Sequence, residues 1–149
     1  MMGYLDEEEK TAECLSPNGW LKTGDVAHYD EDGFFFITDR LKELIKVRAY
    51  QVAPAELEAL LLTHPHVDDA AVIPVKSEES GELPLAYVVM KLDIPSQKIC
   101  EEEIKEWVKE RVAPYKRLTK VVFTDVIPKS ASGKILRRLL VAGIKTEEN

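Results

Sequence analysis

The sequence has 149 residues, the length of one domain or of one domain with a piece of another, and this excludes a large multidomain enzyme. Hydrophobic residues make up 45% of the chain and charged residues 32%, which is enough apolar material for a core and too little for a membrane span. The net charge of −7 argues against a binder of nucleic acid or membrane surfaces, because either partner requires a basic face.

The amino-terminal part of the chain predicts surface structure followed by a small β unit. Residues 1–19 combine an acidic run with turn-forming residues. Residues 20–21, 26–29 and 34–37 are short β-prone runs, and the sequence Asp-Glu-Asp-Gly between the last two is typical of a hairpin turn. We expect this β unit to end near Thr38.

The rest of the chain predicts a small α+β domain. Strands are expected at residues 44–47, 70–75, 83–92 and 121–123, and helices at 54–64, 101–112 and 135–144. The helix over residues 101–112 has the clearest 3.6-residue period, and its apolar face includes Trp107, which is therefore expected in the core. This order of elements indicates a small mixed three-stranded sheet flanked by helices, preceded by a short β appendage.

The segment Pro-Lys-Ser-Ala-Ser-Gly-Lys at residues 128–134 is the first candidate for chemistry, since it presents Lys134 just ahead of a helix. It does not match the phosphate-binding P-loop, because Pro128 stands where that loop has its first glycine and Ile135 follows the lysine in place of serine or threonine. By itself the segment is read more simply as a flexible turn with a solvated lysine.

Other candidates are equally open when taken alone. Asp25 follows a Thr-Gly pair and can accept hydrogen bonds from a diol such as ribose, or form an Asx-turn. Residues 39–42 fit a linker or a charged hinge. The two histidines of the His64-Pro-His66 segment lack nearby cysteine or paired carboxylates, and with Cys14 and Cys100 far apart we predict no metal site and no disulfide.

Taken together and in order, five groups of residues resemble the carboxyl-terminal part of the adenylate-forming superfamily, which includes acyl-CoA synthetases and firefly luciferase. The likeness is closest to the 4-coumarate:CoA ligases. The matching segments are 2–4 (MGY) with 19–25 (GWLKTGD), 39–46 (DRLKELIK), 50–58 (YQVAPAELE), 127–129 (IPK) and 132–135 (SGKI).

The resemblance implies a two-step reaction, in which a carboxylic acid and Mg²⁺-ATP give an acyl-adenylate, and coenzyme A then displaces AMP. It implies that Lys134 is the catalytic lysine that bridges the acid and the α-phosphate. Asp25 is similar to the acid that binds the ribose in this family, and Arg40 to a neighbouring nucleotide contact.

The resemblance also implies a small domain that swings between the two half-reactions. Lys42 matches the hinge residue of the coumarate ligases, and Asp39 is the rival hinge. After the swing, Lys46 and Gln51 are expected to close on the adenylate as catalytic and nucleotide-binding residues. The CoA-binding residues implied are then Arg48 and Ala49; the family usually has glycine in place of Ala49, which predicts a slower thioester step.

On this interpretation the chain is a fragment. Residues 1–38 are expected to be the tail of a large amino-terminal domain, and residues 39–149 the small mobile AMP-binding lid. The phosphate loop, the acyl pocket and the acid that holds Mg²⁺ would belong to the missing portion, so the fragment alone is predicted to be inactive. An aryl or medium-chain acid is the expected substrate of the parent enzyme, with no nucleic-acid or membrane partner and a cytoplasmic location, since the peroxisomal Ser-Lys-Leu ending is absent.

Two other interpretations stay open. One is an adenylation-only or luciferase-like relative, and the other is a free-standing binding module without activity.

Overall fold

The computed structural model describes residues 1–91 and 100–147 and divides the chain into two compact units, Met1–Lys42 and Glu43–Asn149. The predicted end of the second apolar strand, Leu92, lies outside the described residues. Along the described chain, no helix is long and apolar enough to cross a membrane.

The first unit is a short helix followed by a two-stranded antiparallel hairpin. Helix α1 covers Glu8–Cys14, strand β1 Asp25–Tyr29 and strand β2 Phe35–Arg40. The helix was not predicted from the sequence, because its residues show no apolar repeat. The hairpin was predicted, but β2 extends past Thr38 to Arg40. No residue of this unit is buried, and large apolar side chains such as Trp20 and Phe35 are 77% and 76% exposed.

The second unit contains a mixed sheet of five strands. Their bounds are β3 Ile45–Val47, β4 Tyr50–Val52, β5 Val67–Ser77, β6 Gly81–Met90 and β7 Lys120–Phe123. The order is β4-β3-β6-β5, and β7 runs parallel to β6. The α+β class is confirmed, but the three-stranded sheet was an underestimate. The β3–β4 hairpin joins the sheet through the single pair Val47 and Gly81, a long-range contact that no local pattern reveals.

Helices cover both faces of this sheet. They are α2 Pro54–Leu62, α3 Glu101–Lys109 and α4 Arg137–Glu147, with a 3₁₀ turn at Pro114–Lys116. Because side chains alternate along a strand, β5 contributes to two cores. One is the larger core with α2 and α3, formed by residues such as Val72, Val52, Leu57, Leu61 and Ile104. The other lies under α4 and is formed by Ala71, Ile73, Leu85, Ile127 and Leu140.

Some predicted elements differ in extent from those observed. Helix α3 ends at Lys109, three residues early, and α4 starts at Arg137 since Ile135 pairs with Lys129 in an isolated bridge. Trp107 is only partly buried, so its placement in the core was wrong in degree. Its ring packs edge-on to His64 at a centroid distance of 4.9 Å, and the Arg111 guanidinium covers it at 4.3 Å.

Candidate functional site

Asp25 and Arg40 lie opposite each other at the open end of the β1–β2 ladder. Arg40 Nε is 3.4 Å from Asp25 Oδ1, and the side chains are 61% and 24% exposed. The backbone fixes this pair, because Leu41 N–H donates to the Gly24 carbonyl at 2.8 Å and Asp25 N–H donates to Thr23 Oγ1 at 3.2 Å. The two predicted nucleotide contacts are therefore neighbours, and the carboxylate of Asp25 meets an arginine.

The two hinge candidates occupy different backbone settings. Asp39 is inside strand β2, where it pairs with Val26, and its carboxylate accepts the Arg40 N–H at 2.7 Å. Lys42 is an exposed turn residue and the last residue of the first compact unit. The ladder restrains the φ and ψ of Asp39, whereas Lys42 lies in a turn outside the strands.

The β3–β4 hairpin carries four of the predicted site residues. Lys46 and Gln51 are cross-strand partners with exposed side chains, so they lie side by side on one surface of the hairpin. Arg48 and Ala49 form its two-residue loop, in which Arg48 has a φ of +54°. Ala49 is not among the residues with positive φ. The left-handed conformation that would favour glycine thus falls on Arg48, one residue before Ala49.

This hairpin is held in place by an aromatic stack and by contacts to β6 and to the residue before it, Ser80. Tyr50 and Tyr115 stack with ring centroids 4.2 Å apart and planes inclined by 9°. Lys46 N–H donates to Glu82 Oε2 at 2.8 Å, and Arg48 N–H donates to the Ser80 carbonyl at 2.8 Å. The hairpin therefore has a defined position, although β3 pairs with β6 through only one residue pair.

A groove of about 540 Å³ opens beside the hairpin tip. The two tyrosine rings line it together with Arg48 and Arg117. Both arginines are exposed, so the groove combines an aromatic wall with positive charge. Such a lining can accommodate a ring next to a phosphate.

Lys134 lies at the end of a second hairpin, residues 129–135, which we call the lysine hairpin. Its two sides meet in the Lys129–Ile135 bridge, and Ser130 N–H donates to the Lys134 carbonyl at 2.8 Å. Gly133 has a φ of +80° at the tip, and a Cβ there would meet no atom within 4 Å. The Lys134 side chain is exposed, and along the described chain no carboxylate pairs with its ammonium.

The base of the lysine hairpin is fixed by ion pairs on both sides. Lys129 Nζ lies 2.6 Å from Asp69 Oδ2 on β5. Arg137, the first residue of α4, donates two hydrogen bonds of 2.8 Å to the two carboxylate oxygens of Glu58 and a further one to Glu43. The hairpin thus stands on a rigid base and presents its lysine to solvent.

The structure does not bring Lys134 and Lys46 together. The base of the lysine hairpin is tied to Asp69, and the β3–β4 hairpin is tied to Ser80 and Glu82 at the other end of the β5–β6 pair. Asp69 is eight residues from Ser77, which pairs with Gly81. At about 3.4 Å per residue, Asp69 and Ser77 are about 27 Å apart along β5.

The described residues offer no cluster of three or more His, Cys, Asp or Glu side chains suited to a metal ion. His64 and His66 touch edge-on, but their setting is structural. His64 is 4% exposed, and burial together with the neighbouring His66 lowers its pKa below the usual value. Both free cysteines are outside any ligand group, Cys14 half-buried and Cys100 exposed.

Sequence reasoning missed the residues that hold the two hairpins, above all Glu58, Arg137 and Tyr115. Glu58 carried a usable signal, because it follows Leu57 on the side of α2 that also bears Leu61. A carboxylate on the buried face of a helix requires a cationic partner. The identity of that partner, 79 residues away, cannot be obtained from the sequence pattern.

The fold and the two lysine-bearing hairpins define a small α+β domain that presents cations at separate ends of one sheet. Residues 56–134 match the family model described as "AMP-binding enzyme C-terminal domain". The chain belongs to this family, which confirms the resemblance to adenylate-forming enzymes.

Three comparisons give the range of similarity. The chain is 57% identical over 141 residues to the peroxisomal OPC-8:0-CoA ligase 1 of Arabidopsis thaliana, covering 95% of this chain and 25% of that protein. It is 53% identical over 142 residues to 4-coumarate–CoA ligase 2 of Nicotiana tabacum, covering 95% and 26%. The crystal structure of ATP-bound MatB from Rhodopseudomonas palustris matches with a TM-score of 0.87 at 30% identity, covering 96% and 28%. The chain thus spans about a quarter of the length of these proteins.

Proposed function

We propose that this chain works as the carboxyl-terminal lid of an ATP-dependent acid:CoA ligase, which forms an acyl-adenylate and then an acyl-CoA thioester. The observation that carries the proposal is the exposed Lys134 on a hydrogen-bonded hairpin with a fixed base. A cation so placed is available to a ligand from outside the domain. The relatives named as CoA ligases supply the class of reaction.

In the first half-reaction, a carboxylate oxygen of the acid attacks the α-phosphorus of ATP, and the bond to pyrophosphate breaks. Both reactants are anions, so negative charge builds in the transition state. Lys134 offsets that charge when its ammonium lies between the carboxylate and the α-phosphate. Asp25 accepts hydrogen bonds from the ribose hydroxyls, and Arg40, at 3.4 Å from Asp25, is placed to contact the nucleotide.

In the second half-reaction, the sulfur of coenzyme A attacks the acyl carbon and AMP leaves with the former carboxylate oxygen. We assign this step to the β3–β4 hairpin. Lys46 and Gln51 face the adenylate from their shared surface, while Arg48 lies at the mouth of the aromatic groove and binds CoA phosphates. Asp69 and Ser77, which mark the two anchors on β5, are about 27 Å apart, and we infer that one adenylate does not engage Lys134 and Lys46 at the same time. The lid must therefore move between the steps.

Lys42 is the hinge we favour for this motion, with Asp39 as the alternative. The division into compact units falls directly after Lys42, whereas Asp39 is paired within a strand. Hinges are formed by a few loop or terminal residues that absorb backbone rotation. The predicted domain boundary, between residues 38 and 39, lies four residues before this division of the chain.

ATP enters such reactions as its Mg²⁺ complex, but the described residues do not group as magnesium ligands. The resemblance to the family places the acid that holds Mg²⁺ in a part of the enzyme outside this chain. The same larger portion would cover the exposed aromatic side chains of the first unit.

This chain by itself is expected to bind ATP weakly and to have no ligase activity, because Asp25, Arg40 and Lys134 are only part of a nucleotide site. Isothermal titration of the chain with ATP should give no Kd tighter than about 10 μM, near −7 kcal/mol. Tighter binding would contradict the assignment of the other contacts to a further portion.

The full-length protein provides the decisive test. ATP–pyrophosphate exchange with a panel of aryl and medium-chain acids measures the first step, and thioester formation with coenzyme A measures the second. Exchange without thioester would favour the adenylation-only alternative, and neither activity would favour a binding module. Ala49→Gly sharpens this test, because it is expected to raise CoA transfer and leave exchange nearly unchanged.

The cellular location is proposed to be the cytoplasm. The relative from Arabidopsis that is named as peroxisomal makes the peroxisome the competing location. Imaging of the fluorescently tagged full-length protein, with its carboxyl end free, distinguishes the two.

A further inference from the structure

Arg137 makes four hydrogen bonds to other described residues of the second unit. It donates to both carboxylate oxygens of Glu58 at 2.8 Å, to Glu43, and through Nε to the Val72 carbonyl at 3.3 Å. Its side chain is 20% exposed. The guanidinium therefore joins α2, β5 and the start of the second unit to the first turn of α4.

Glu58 makes this arrangement rigid. The residue is 8% exposed, and its Oε1 also accepts the Val72 N–H at 2.8 Å. A buried carboxylate without its partner is strongly destabilising, so Arg137 is held in this position. The two parallel hydrogen bonds also fix the orientation of the guanidinium, which a lysine ammonium would not do.

The chain between Arg137 and Lys134 has no slack. Only Ile135 and Leu136 intervene, and both are paired: Ile135 bridges to Lys129, and Leu136 N–H donates to the Pro128 carbonyl at 2.8 Å. Three residues span at most about 10 Å. A displacement of Arg137 is therefore transmitted to Lys134.

We propose that Arg137 is a positioning residue for adenylation: by holding Glu58 and Glu43, it sets where the lysine hairpin presents the ammonium of Lys134. Arg137 touches no reactant in this role. The inference rests on the proposed function, since it assumes that Lys134 acts in the first half-reaction. The competing explanation is an ion pair that only stabilises the fold.

The test uses Arg137→Lys in the full-length enzyme, because this variant keeps the charge and loses the bidentate geometry. Misplacement of a catalytic group by about 1 Å can cost up to roughly 100-fold in rate. We expect kcat for pyrophosphate exchange to fall by about 10- to 100-fold. The KM for ATP should stay close to that of the unsubstituted enzyme. The rate of CoA transfer from supplied acyl-adenylate should also stay close to that of the unsubstituted enzyme.

Lys116→Gln is the matched control. It breaks the ion pair of Lys116 with Glu56, in which Lys116 Nζ lies 2.6 and 2.7 Å from the two carboxylate oxygens. Glu56 lies on the same helix as Glu58, two residues before it. The control should leave pyrophosphate exchange unchanged. If Arg137→Lys reduces both half-reactions equally and in step with its melting temperature, or reduces neither, the positioning role is overturned.

Glu43→Ala is the second variant if Arg137→Lys does not fold, because it removes one contact to Arg137 at a side chain that is 40% exposed. A smaller loss confined to pyrophosphate exchange supports the proposal, and no loss overturns it. Lys134→Ala separates the two levels of inference. If that variant keeps full exchange, the proposed function fails; if it is inactive while Arg137→Lys is unaffected, only the positioning role fails.

Discussion

The lysine hairpin and the β3–β4 hairpin are alike in size and exposure but are held by different forces. Ion pairs at Asp69 and Glu58 fix the first, whereas the stack of Tyr50 on Tyr115 and backbone pairing with β6 fix the second. The two sets of anchors share no residue. Arg137 also holds Glu43, which lies two residues before β3, so substitutions at the hairpins themselves and at Tyr115 separate the two hairpins best. They make the assignment of one half-reaction to each hairpin directly testable.

The largest expected effect comes from removing each lysine. Lys134→Ala should lower pyrophosphate exchange by roughly 10²–10³, the usual cost of losing one transition-state contact, and leave CoA transfer from supplied acyl-adenylate largely intact. Lys46→Ala should do the reverse. Both rates are measured on the same full-length preparations. Equal damage to both steps by each variant would refute the division of labour.

A smaller effect should follow from removing the aromatic anchor. Tyr115→Leu eliminates a ring stack worth about 0.5–1.5 kcal/mol beyond burial, so CoA transfer should fall by roughly 2- to 10-fold. Pyrophosphate exchange should not change. Tyr115→Phe keeps the ring and serves as the control. A loss in exchange with Tyr115→Leu would show that the two hairpins are coupled.

Gly133→Ala tests the tip of the lysine hairpin. The site has room for a methyl group, but a φ of +80° is strained for alanine by about 1–2 kcal/mol. We expect slower exchange, unchanged CoA transfer, and increased amide hydrogen exchange confined to residues 129–135. Faster amide exchange across the β3–β4 hairpin as well would contradict independent anchoring.

The smallest and least selective effect should come from acid. Burial is the main cause that holds the pKa of His64 below its usual 6.5. The neighbouring His66, Arg111 and Lys91 lower this pKa further, and Glu103 opposes them. The stability from neutral His64 is present above about pH 6.5 and is lost as pH falls toward the lower pKa of the folded state. Thermal melting of His64→Gln should depend less on pH between about 5 and 7. If lowering the pH impaired only one half-reaction, the cause would be the protonation of a group close to one hairpin and not of His64.

The sequence predicted the elements that carry strong local patterns. Strands β5, β6 and β7 and helix α3 are marked by apolar runs or a 3.6-residue period, and α2 is bounded by Pro54 and Pro65. Strand β4 was missed because Tyr50-Gln51-Val52 is short and only Val52 is buried. The β4 strand was therefore missed because it depends on tertiary contacts and not on a local sequence pattern.

The candidate site divides in the same way. Its lysines, Asp25 and Arg40 were found through motifs, and the pairing of Asp25 with Arg40 follows from the hairpin register. The roles of all these residues stay predictions. The supports at Glu58, Arg137 and Tyr115 could not be assigned, because the Glu58–Arg137 and Tyr50–Tyr115 contacts each join residues more than 60 positions apart.

The long β5–β6 pair acts as a spacer between the two hairpins. Each added residue lengthens a strand by about 3.4 Å, but adding one residue to both strands would turn the buried side chains of one core toward the other. Adding two to each would preserve the faces and separate the hairpins by about 7 Å more. Unless a β-bulge accommodates a single inserted residue, the spacing changes in two-residue steps. The distance that the lid moves between its two working positions then changes in the same steps.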